Sequence, residues 1–326
     1  MEKMPKLSIY IPVYNGEKYI EKCLDSVINQ SYRDVEIYIY NDGSQDNSFS
    51  ICQWYSEKDT RIILETGENG HSIEKMNEFI QKASGKYIGF VDHDDELALD
   101  FFEQMISYLE KTEADCAISS YTYIDEKGNI LPWYSPELKT GEILYGRDTF
   151  KRFLTSLDIE GFRWNKVYKK EFFIDSKICF VNKFPADIYP EAALLSKINK
   201  AVLVGTKGYY YRQSTTSEVA KCRVDNIKGF IDAFSRVMLL GQQVGCKTEA
   251  EYYLTWRCIN SLFNAVKDYK MYPLEEFKKF CKSTSVREIT GNTLPQSLKL
   301  LSHKYDKKSF EYRIYIKAMI VYAIFR

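Results

Sequence analysis

Acidic side chains that follow two apolar segments are the residues of this sequence best suited to chemistry. Asp92, Asp94 and Asp95 come directly after one apolar segment, and Asp42 comes after another. Three carboxylates within four residues repel one another unless a cation or hydrogen-bond donors compensate. Hard divalent ions prefer oxygen ligands, and phosphate oxygens would complete the coordination shell. The pattern therefore predicts a site for a divalent ion and a phosphate-bearing ligand.

The same acidic cluster also has a purely structural explanation. Asp is favourable at the N-terminus of a helix, so Asp94 or Asp95 would cap a helix that is expected to begin near Leu97. An isolated Asp-x-Asp pattern is too short to decide between a metal site and a helix cap. Both interpretations stay open on this motif alone.

Short β-rich segments alternate with amphipathic helical segments over the first 120 residues. This alternation predicts a mainly parallel α/β sheet whose ligands bind at the carboxyl ends of the strands. Those ends lie together, so the sheet would bring Asp42 close to the acidic cluster. Strands are predicted at 7–13, 35–41, 61–65, 87–91 and 116–120, and helical stripes lie at 20–28, 73–83 and 97–109.

The sequence pattern changes after residue 120. Tyrosine-rich segments and aromatic-basic stretches such as 162–166 come first, and long helical periodicity follows from about residue 224. We therefore predict a catalytic domain over 1–220, with a donor half at 1–120 and an acceptor half at 121–220. A helical C-terminal region is predicted over 221–326. No linker rich in Gly, Pro or Ser marks the boundary.

Charge and cysteine content argue against several classes of protein. The 45 basic and 45 acidic residues cancel, so no net field attracts nucleic acid. Eight cysteines occur without a Cys-x-x-Cys pair, which predicts buried, reduced thiols in a cytoplasmic protein. No apolar run is long enough to span a bilayer. Nothing in the sequence indicates the oligomeric state.

The C-terminal tail, 298–326, has an unusual composition. It carries seven Lys or Arg residues against two acids, interleaved with aromatic and aliphatic residues. Peripheral contact with the inner face of the cell membrane would use both features. A helix packed on the domain with a solvated basic face explains them equally well. Both explanations stay open.

Three motifs occur in a fixed order near the N-terminus. They read SIYIPVYNGEKYI at 8–20, NDGSQDNS at 41–48 and GKYIGFVDHDD at 85–95. Together they resemble the opening of the family 2 glycosyltransferases, which have the GT-A fold. The resemblance is dense over about the first 100 residues and weaker up to residue 215. It implies a Rossmann-like, mixed and mainly parallel sheet with flanking helices.

The resemblance also implies an activity and a donor site. Relatives of this kind are inverting transferases that move a sugar from a UDP-sugar to a carbohydrate or lipid-linked acceptor in surface polysaccharide synthesis. By this resemblance the segment Pro12-Val13-Tyr14 and Asp42 would hold the uridine. Asp94 would ligate Mn²⁺ or Mg²⁺, Asp92 would contact the ribose or the sugar, and His93 would lie beside the sugar as a hydrogen-bonding neighbour.

The resemblance assigns the catalytic base less directly. Asp187 occupies the position of the base that takes a proton from the acceptor hydroxyl, but Ala186 replaces the usual Glu before it. Glu191 would face the same way if a helix continued through Pro190. An N-terminal helix charge is the structural alternative for Asp187. A catalytically impaired, sugar- or nucleotide-binding partner subunit is therefore the alternative function.

Four further residues match positions that line the ligands of relatives. Lys75 replaces an Arg that would contact the nucleotide, so a point charge replaces a bidentate contact. Arg212 would close over the diphosphate. Trp164 and Lys166 would bind the acceptor. The tyrosines that precede Arg212 are expected to pack a strand.

Overall fold

A computed structural model of the chain describes residues 7–133, 135–155, 158–214 and 224–251, together with positions 253, 254 and 257. The predictions for the tail at 298–326 lie outside the described residues. So do those for Cys222, Cys258 and Cys281. Described residues 224–251 are largely helical, in agreement with the predicted helical C-terminal region.

The chain forms one large and one small sheet. The eight-stranded sheet has the order β3-β2-β1-β4-β9-β6-β10-β8, and the small sheet has the order β5-β11-β7. The strands are β1 (Leu7–Val13), β2 (Val35–Asn41), β3 (Ile62–Thr66), β4 (Tyr87–Phe90), β5 (Glu96–Leu97), β6 (Cys116–Ser119), β7 (Thr122–Ile124), β8 (Ile143–Tyr145), β9 (Lys166–Lys169), β10 (Lys200–Val204) and β11 (Tyr209–Arg212).

The large sheet is mixed and mainly parallel, as predicted. Strands β3, β2, β1 and β4 run parallel, whereas β9 runs antiparallel between β4 and β6. The helices are α1 (Ile20–Ile28), α2 (Ser48–Lys58), α3 (Ser72–Lys82), α4 (Phe101–Thr112), α5 (Arg147–Thr155), α6 (Lys170–Ser176), α7 (Ile188–Lys197) and α8 (Val224–Gln243).

Strand β1 is buried on both faces because helices cover both sides of the sheet. Neighbouring strand residues point to opposite faces. Tyr10 packs against Phe79 of α3, with ring centroids 5.3 Å apart. Ile9 belongs to the core that also contains Leu24 of α1 and Phe102 of α4. Strand β1 is therefore buried along almost its whole length. Polar residues begin beyond its carboxyl end.

Two helices differ from the sequence predictions. Helix α2 was not predicted, because its buried residues Ser48, Cys52 and Tyr55 include polar side chains that give no apolar stripe. Helix α4 begins at Phe101 rather than near Leu97, since residues 96–97 form β5 instead. Neither Asp94 nor Asp95 therefore caps α4, and the structural explanation of the acidic cluster as a helix cap is wrong.

The N-terminus of α4 is capped by a side chain from a distant part of the sequence. Gln30, which is fully buried, accepts a hydrogen bond from the backbone N–H of Phe102 at 3.1 Å. Its amide group donates to the carbonyl of Ala98 at 2.6 Å and to that of Ser26 at 3.0 Å. Gln30 thus joins the end of α1 to the segment between the acidic cluster and α4.

The described residues divide into two compact units. The first lies within residues 7–182 and 190–214, and the second contains residues 183–189 and the described residues from 224 onward. Among the described helices, none is long and apolar enough to cross a bilayer. Among the described cysteines none forms a disulfide. Cys179 is exposed, contrary to the prediction of burial, whereas the others are buried, namely Cys23, Cys52, Cys116 and Cys246.

We predict that Gln30→Leu lowers the free energy of unfolding by about 2–3 kcal/mol, because it leaves buried backbone groups without partners. Denaturant unfolding measures this change. Gln53→Leu on the exposed face of α2 is the matched control and should change stability by less than about 0.5 kcal/mol. Equal stability of the two variants would contradict a capping role for Gln30.

Candidate functional site

The acidic cluster forms a tight loop at the carboxyl end of β4. Strand pairing continues one residue past β4, since the N–H of Val91 donates to the carbonyl of Tyr10 at 3.1 Å. The N–H of Asp95 donates to the carbonyl of Asp92 at 3.1 Å, which closes a turn. Asp92 and Asp94 are half-buried, whereas Asp95 is fully buried. One loop therefore presents two carboxylates and hides the third.

Asp95 anchors this loop to strand β11. Its carboxylate accepts hydrogen bonds from the Tyr209 hydroxyl and from the backbone N–H of Arg212, both at 2.8 Å. The Tyr209 oxygen also accepts from the N–H of Asp92 at 3.2 Å. Burial, followed by the charges of Asp94 and Asp92, raises the pKa of the Asp95 carboxyl. Burial and the Asp95 charge also raise the pKa of the Tyr209 phenol, so this hydroxyl keeps its proton.

The side chain of Arg212 is fully buried beneath the acidic loop. Its guanidinium donates to the carbonyl of Asp94 at 2.7 Å, to that of Asp125 at 2.9 Å, and to the carboxylate of Glu96. The guanidinium also lies 4.7 Å from the ring centroid of Tyr19. Since the side chain has no exposed surface, the structure differs from the predicted diphosphate contact. Arg212 instead positions the backbone that carries Asp94.

The Asp94 carboxylate is the acid of this loop that suits a metal ion best. Within the described ranges it takes part in no hydrogen bond or ion pair. It is half-buried, and it offers the hard oxygen ligands that Mn²⁺ and Mg²⁺ prefer. No group of three or more acidic, His or Cys side chains among the described residues could hold an ion alone. An ion here would therefore need oxygen ligands from a bound molecule.

His93 packs against the segment that follows β1. Its Nδ1 lies 3.2 Å from the carbonyl of Pro12. A carbonyl only accepts, so Nδ1 carries the proton, and Nε2 remains for another partner. A Cβ at Gly16 would lie 2.3 Å from the His93 ring, so only glycine allows this approach. Of the predicted uridine segment, Tyr14 is exposed at 45% and Pro12 is half-buried.

Asp42 lies at the end of β2, beside the end of β1. Its N–H donates to the carbonyl of Val13 at 2.8 Å. Its carboxylate accepts from the N–H groups of Gly70 at 3.1 Å and His71 at 2.9 Å, just before α3. The structure thus gives Asp42 a role in holding the β3–α3 loop. Its predicted contact with the uracil ring stays a prediction.

Lys75 and His71 lie on the first turn of α3 or next to it. The Lys75 ammonium is 31% exposed and pairs with Glu78 at 3.1 Å. His71 is exposed and pairs with Glu74 at 2.9 Å, and this carboxylate raises the pKa of the His71 ring. The Lys75 ammonium and the His71 ring are thus each paired with a carboxylate of α3, and each keeps exposed surface.

The two predicted acceptor residues are buried. Trp164 is 4% exposed and stacks on Tyr209 with ring centroids 4.4 Å apart. The Lys166 ammonium has no exposed surface. It donates to the carbonyls of Glu160, at 2.8 Å, and Phe162, and it lies 3.8 Å from the carboxylate of Glu191. The structure therefore differs from the predicted acceptor contact of Lys166, whose ammonium is held inside the protein.

The candidate base, Asp187, directly precedes α7 and is half-buried. Helix α7 continues through Pro190, which lies in its first turn, where proline is tolerated. Glu191 is fully buried, and Tyr168 donates to its carboxylate at 2.5 Å. The sequence left the orientation of Glu191 open, and the structure shows its side chain buried in the core.

Sequence reasoning missed the residues that hold the acidic loop from below. Tyr209 was expected only to pack a strand, and Glu96 and Asp125 were not singled out. Glu96 follows the acidic cluster directly, and a third consecutive acid after Asp94 and Asp95 is a weak signal that a buried cation lies nearby. Asp125 contributes a backbone carbonyl, which no side-chain pattern reveals.

Comparisons with known proteins agree on a family. A sequence model described as Glycosyl transferase family 2 matches residues 8–177, more than half of the chain. The glycosyltransferase GlyA of Streptococcus pneumoniae is 30% identical over 64% of this chain, and the match spans 30% of GlyA. GlyG of the same organism is 28% identical over 84% of this chain and 93% of its own length. The chain thus spans less than a third of GlyA.

Solved structures agree on the fold. The S. aureus TarS fragment solved with UDP-GlcNAc covers 97% of this chain and 89% of its own, with a TM-score of 0.70 at 17% identity. GalNAc-T7, solved with UDP, GalNAc and Mn²⁺, covers 93% of this chain and 58% of its own, with a TM-score of 0.55 at 14% identity. At these identities the likeness shows the fold alone, and it confirms the predicted GT-A architecture.

We predict that Tyr209→Phe lowers the free energy of unfolding by about 1–3 kcal/mol, because the buried Asp95 carboxylate loses a donor. Urea denaturation provides the measurement. The matched control is Tyr210→Phe, at a half-buried neighbour on β11, which should change stability by less than about 0.5 kcal/mol. An unchanged stability of Tyr209→Phe would mean that the hydroxyl does not hold the loop.

Proposed function

The chain belongs to glycosyl transferase family 2, and on that premise we propose that it moves a sugar from a UDP-sugar to a carbohydrate or lipid-linked acceptor. The transfer would invert the anomeric carbon, use a divalent ion and serve surface polysaccharide synthesis. The observation that carries the proposal is the half-buried Asp94 carboxylate, without a protein partner among the described residues, on a loop fixed at the strand ends. The Asp42 and Pro12–Tyr14 segments lie at the same edge.

In this proposal the nucleotide lies over the ends of β1 and β2. Asp42 accepts the uracil N–H; a carboxylate has about four lone-pair sites, so two backbone donors leave room for a third. The backbone at Pro12–Tyr14 lines the other side of the base. The part-exposed Lys75 ammonium contacts a phosphate. Asp92 contacts the ribose or the sugar, and the free Nε2 of His93 bonds a sugar hydroxyl.

Asp94 would hold Mn²⁺ or Mg²⁺ together with oxygens of the donor diphosphate. The bound ion would offset the negative charge that develops on the departing nucleoside diphosphate. Tyr209 and Arg212 prepare this position, since they fix the loop through Asp95 and through the Asp94 carbonyl. Because the loop is held before any ligand binds, little reorganisation is needed when the diphosphate arrives. GalNAc-T7, which shares the fold, was solved with UDP and Mn²⁺.

Asp187 is the proposed base. As the acceptor oxygen forms its bond to the anomeric carbon, the Asp187 carboxylate takes the hydroxyl proton. The bond between the anomeric carbon and the diphosphate oxygen breaks, and its electron pair leaves with UDP. Asp187 directly precedes α7, and a helix N-terminus is a favourable place for an acidic side chain.

The cellular setting is proposed from the sequence. Reduced cysteines favour the cytoplasm, and the basic tail at 298–326 favours peripheral contact with the inner face of the cell membrane. The proposed catalytic domain is 1–220, with donor and acceptor halves that meet at residue 120. Residues 221–326 form the proposed helical C-terminal region.

We predict that Mn²⁺ strengthens the binding of UDP, but not that of GDP or CMP, and that Asp94→Asn removes this gain. Isothermal titration with and without Mn²⁺ tests it. UDP affinity in Mn²⁺ should fall by about tenfold or more, because the ion loses its protein ligand. Asp148→Asn on the exposed face of α5 is the control and should bind like the unaltered chain. Full Mn²⁺ enhancement in Asp94→Asn would exclude Asp94 as the metal ligand.

We predict that Asp187→Asn lowers kcat by about 10²–10⁴-fold, because no group then accepts the hydroxyl proton. Release of UDP from a panel of UDP-sugars, with bacterial polysaccharide extracts as acceptors, measures turnover. UDP affinity should change less than about twofold, since the base does not hold the nucleotide. Asp175→Asn, exposed on α6, is the control.

Unaltered turnover in Asp187→Asn would remove Asp187 from the mechanism. If the unaltered chain binds UDP but turns over none of the UDP-sugars, the alternative function is favoured, which is a nucleotide- and sugar-binding partner subunit. The replacement of the usual Glu by Ala186 is the observation that supports this alternative.

A further inference from the structure

An exposed tryptophan lies on the segment that follows β7. Trp133 is 53% exposed. A bridge between Ile124 and Ile130 and a hydrogen bond from the N–H of Leu131 to the carbonyl of Tyr123, at 2.9 Å, keep this segment beside β7. The indole consequently meets the ring of Tyr123, with centroids 5.3 Å apart and planes at 60°.

Trp133 is the outer end of a continuous row of aromatic rings. From Trp133 and Tyr123 the row continues to Tyr211 at 5.7 Å, then to Trp164 at 4.8 Å, and ends at Tyr209 at 4.4 Å. Exposure falls along it, since Tyr123 and Tyr211 are half-buried and the last two rings are buried. Tyr209 is the residue that bonds the acidic loop. The aromatic row therefore leads from the candidate donor site to the surface.

The turn that precedes the Trp133 segment, residues 125–129, is held in place by polar contacts. The Asp125 carboxylate accepts from the N–H groups of Lys127, at 2.8 Å, and Asn129, at 2.9 Å, and from the Asn129 amide. Arg212 donates to the Asp125 carbonyl from beneath. The turn and the pairing with β7 hold the backbone on both sides of Ile130, and a ring on a pre-formed segment loses little conformational entropy when a ligand stacks on it.

The chemistry of this surface suits a sugar ring. An indole face is apolar and flat, and it packs on the C–H face of a pyranose. The polar turn next to it, residues 125–129, supplies carboxylate, ammonium and amide groups for hydroxyls. A stable protein interface needs a larger apolar area than Trp133 and the 70% exposed Ile130 provide. Continuity with the acidic loop favours a saccharide whose end reaches that loop.

We propose that Trp133, backed by Tyr123, is a stacking platform for a sugar ring of the saccharide acceptor, at a position remote from the reacting hydroxyl. This inference rests on the proposed function, because it requires a saccharide acceptor. The inference also goes beyond the proposed function, since it requires an acceptor of more than one sugar unit. The predicted acceptor residues Trp164 and Lys166 then support the platform from within rather than contact the ligand.

The experiment compares Trp133→Ala, Trp133→Phe and Trp54→Ala. Trp54 is the matched control, a 56% exposed tryptophan on α2. Each purified chain is applied to an array of linear and bacterial surface saccharides of one to six sugars, and titrated with UDP and Mn²⁺. We expect saccharide binding to weaken about tenfold in Trp133→Ala and about threefold at most in Trp133→Phe, with Trp54→Ala unchanged. Affinity should rise with saccharide length in the unaltered chain and in Trp54→Ala, but not in Trp133→Ala.

The UDP titration separates the two hypotheses. If UDP binds but no saccharide does, or if Trp133→Ala binds saccharides as the unaltered chain does, the platform is wrong and the proposed function stands. If UDP also fails to bind, both the platform and the proposed function are wrong. Equal losses in Trp133→Ala and Trp54→Ala would indicate a general surface effect and would overturn the platform. Retained UDP affinity in Trp133→Ala shows that the variant is folded.

Discussion

The site depends on how one buried carboxylate is held. Asp95 lies in the interior, where an uncompensated charge costs several kcal/mol or more. The Tyr209 hydroxyl and the Arg212 N–H compensate it, and Arg212 extends its guanidinium to the Asp94 carbonyl above. The small sheet thereby holds the loop at the end of the large one. Asp94 can face a ligand because its neighbour in sequence faces the core.

Residues of one type perform different tasks in this loop. The sequence presents Asp92, Asp94 and Asp95 as equivalent acids, and burial together with its hydrogen bonds sets Asp95 apart from the other two. The two basic side chains predicted to contact the donor, Arg212 and Lys75, also differ in burial. The guanidinium has several donors in a rigid fork and bonds three separate acceptors in the interior, whereas the single ammonium of Lys75 stays at the surface. Arg212, whose guanidinium is well suited to bind phosphate, thus holds the acidic loop in place instead.

Much of the donor half could be predicted because its signals are local. Apolar runs define β1 and β2, and polar residues mark their ends, so the ligand edge follows from the parallel arrangement. The start of α4 could not be predicted, since its cap is Gln30, which lies about 70 residues earlier in the chain. The burial of Lys166 was also hidden, because its carboxylate partner Glu191 is contributed by α7, and a long-range pair leaves no local pattern.

The burial of Lys166 bears on how acceptor specificity arises. Its ammonium donates hydrogen bonds to the carbonyls of Glu160 and Phe162, and these bonds fix the loop that leads into Trp164. A buried ion pair contributes little net stability once desolvation is included, yet breaking it leaves a costly unpaired charge. The loop is therefore fixed in one conformation rather than adaptable. Under the proposed function, selection among acceptors would fall to side chains that keep exposed surface, and in the described part of the aromatic row the most exposed of these is Trp133.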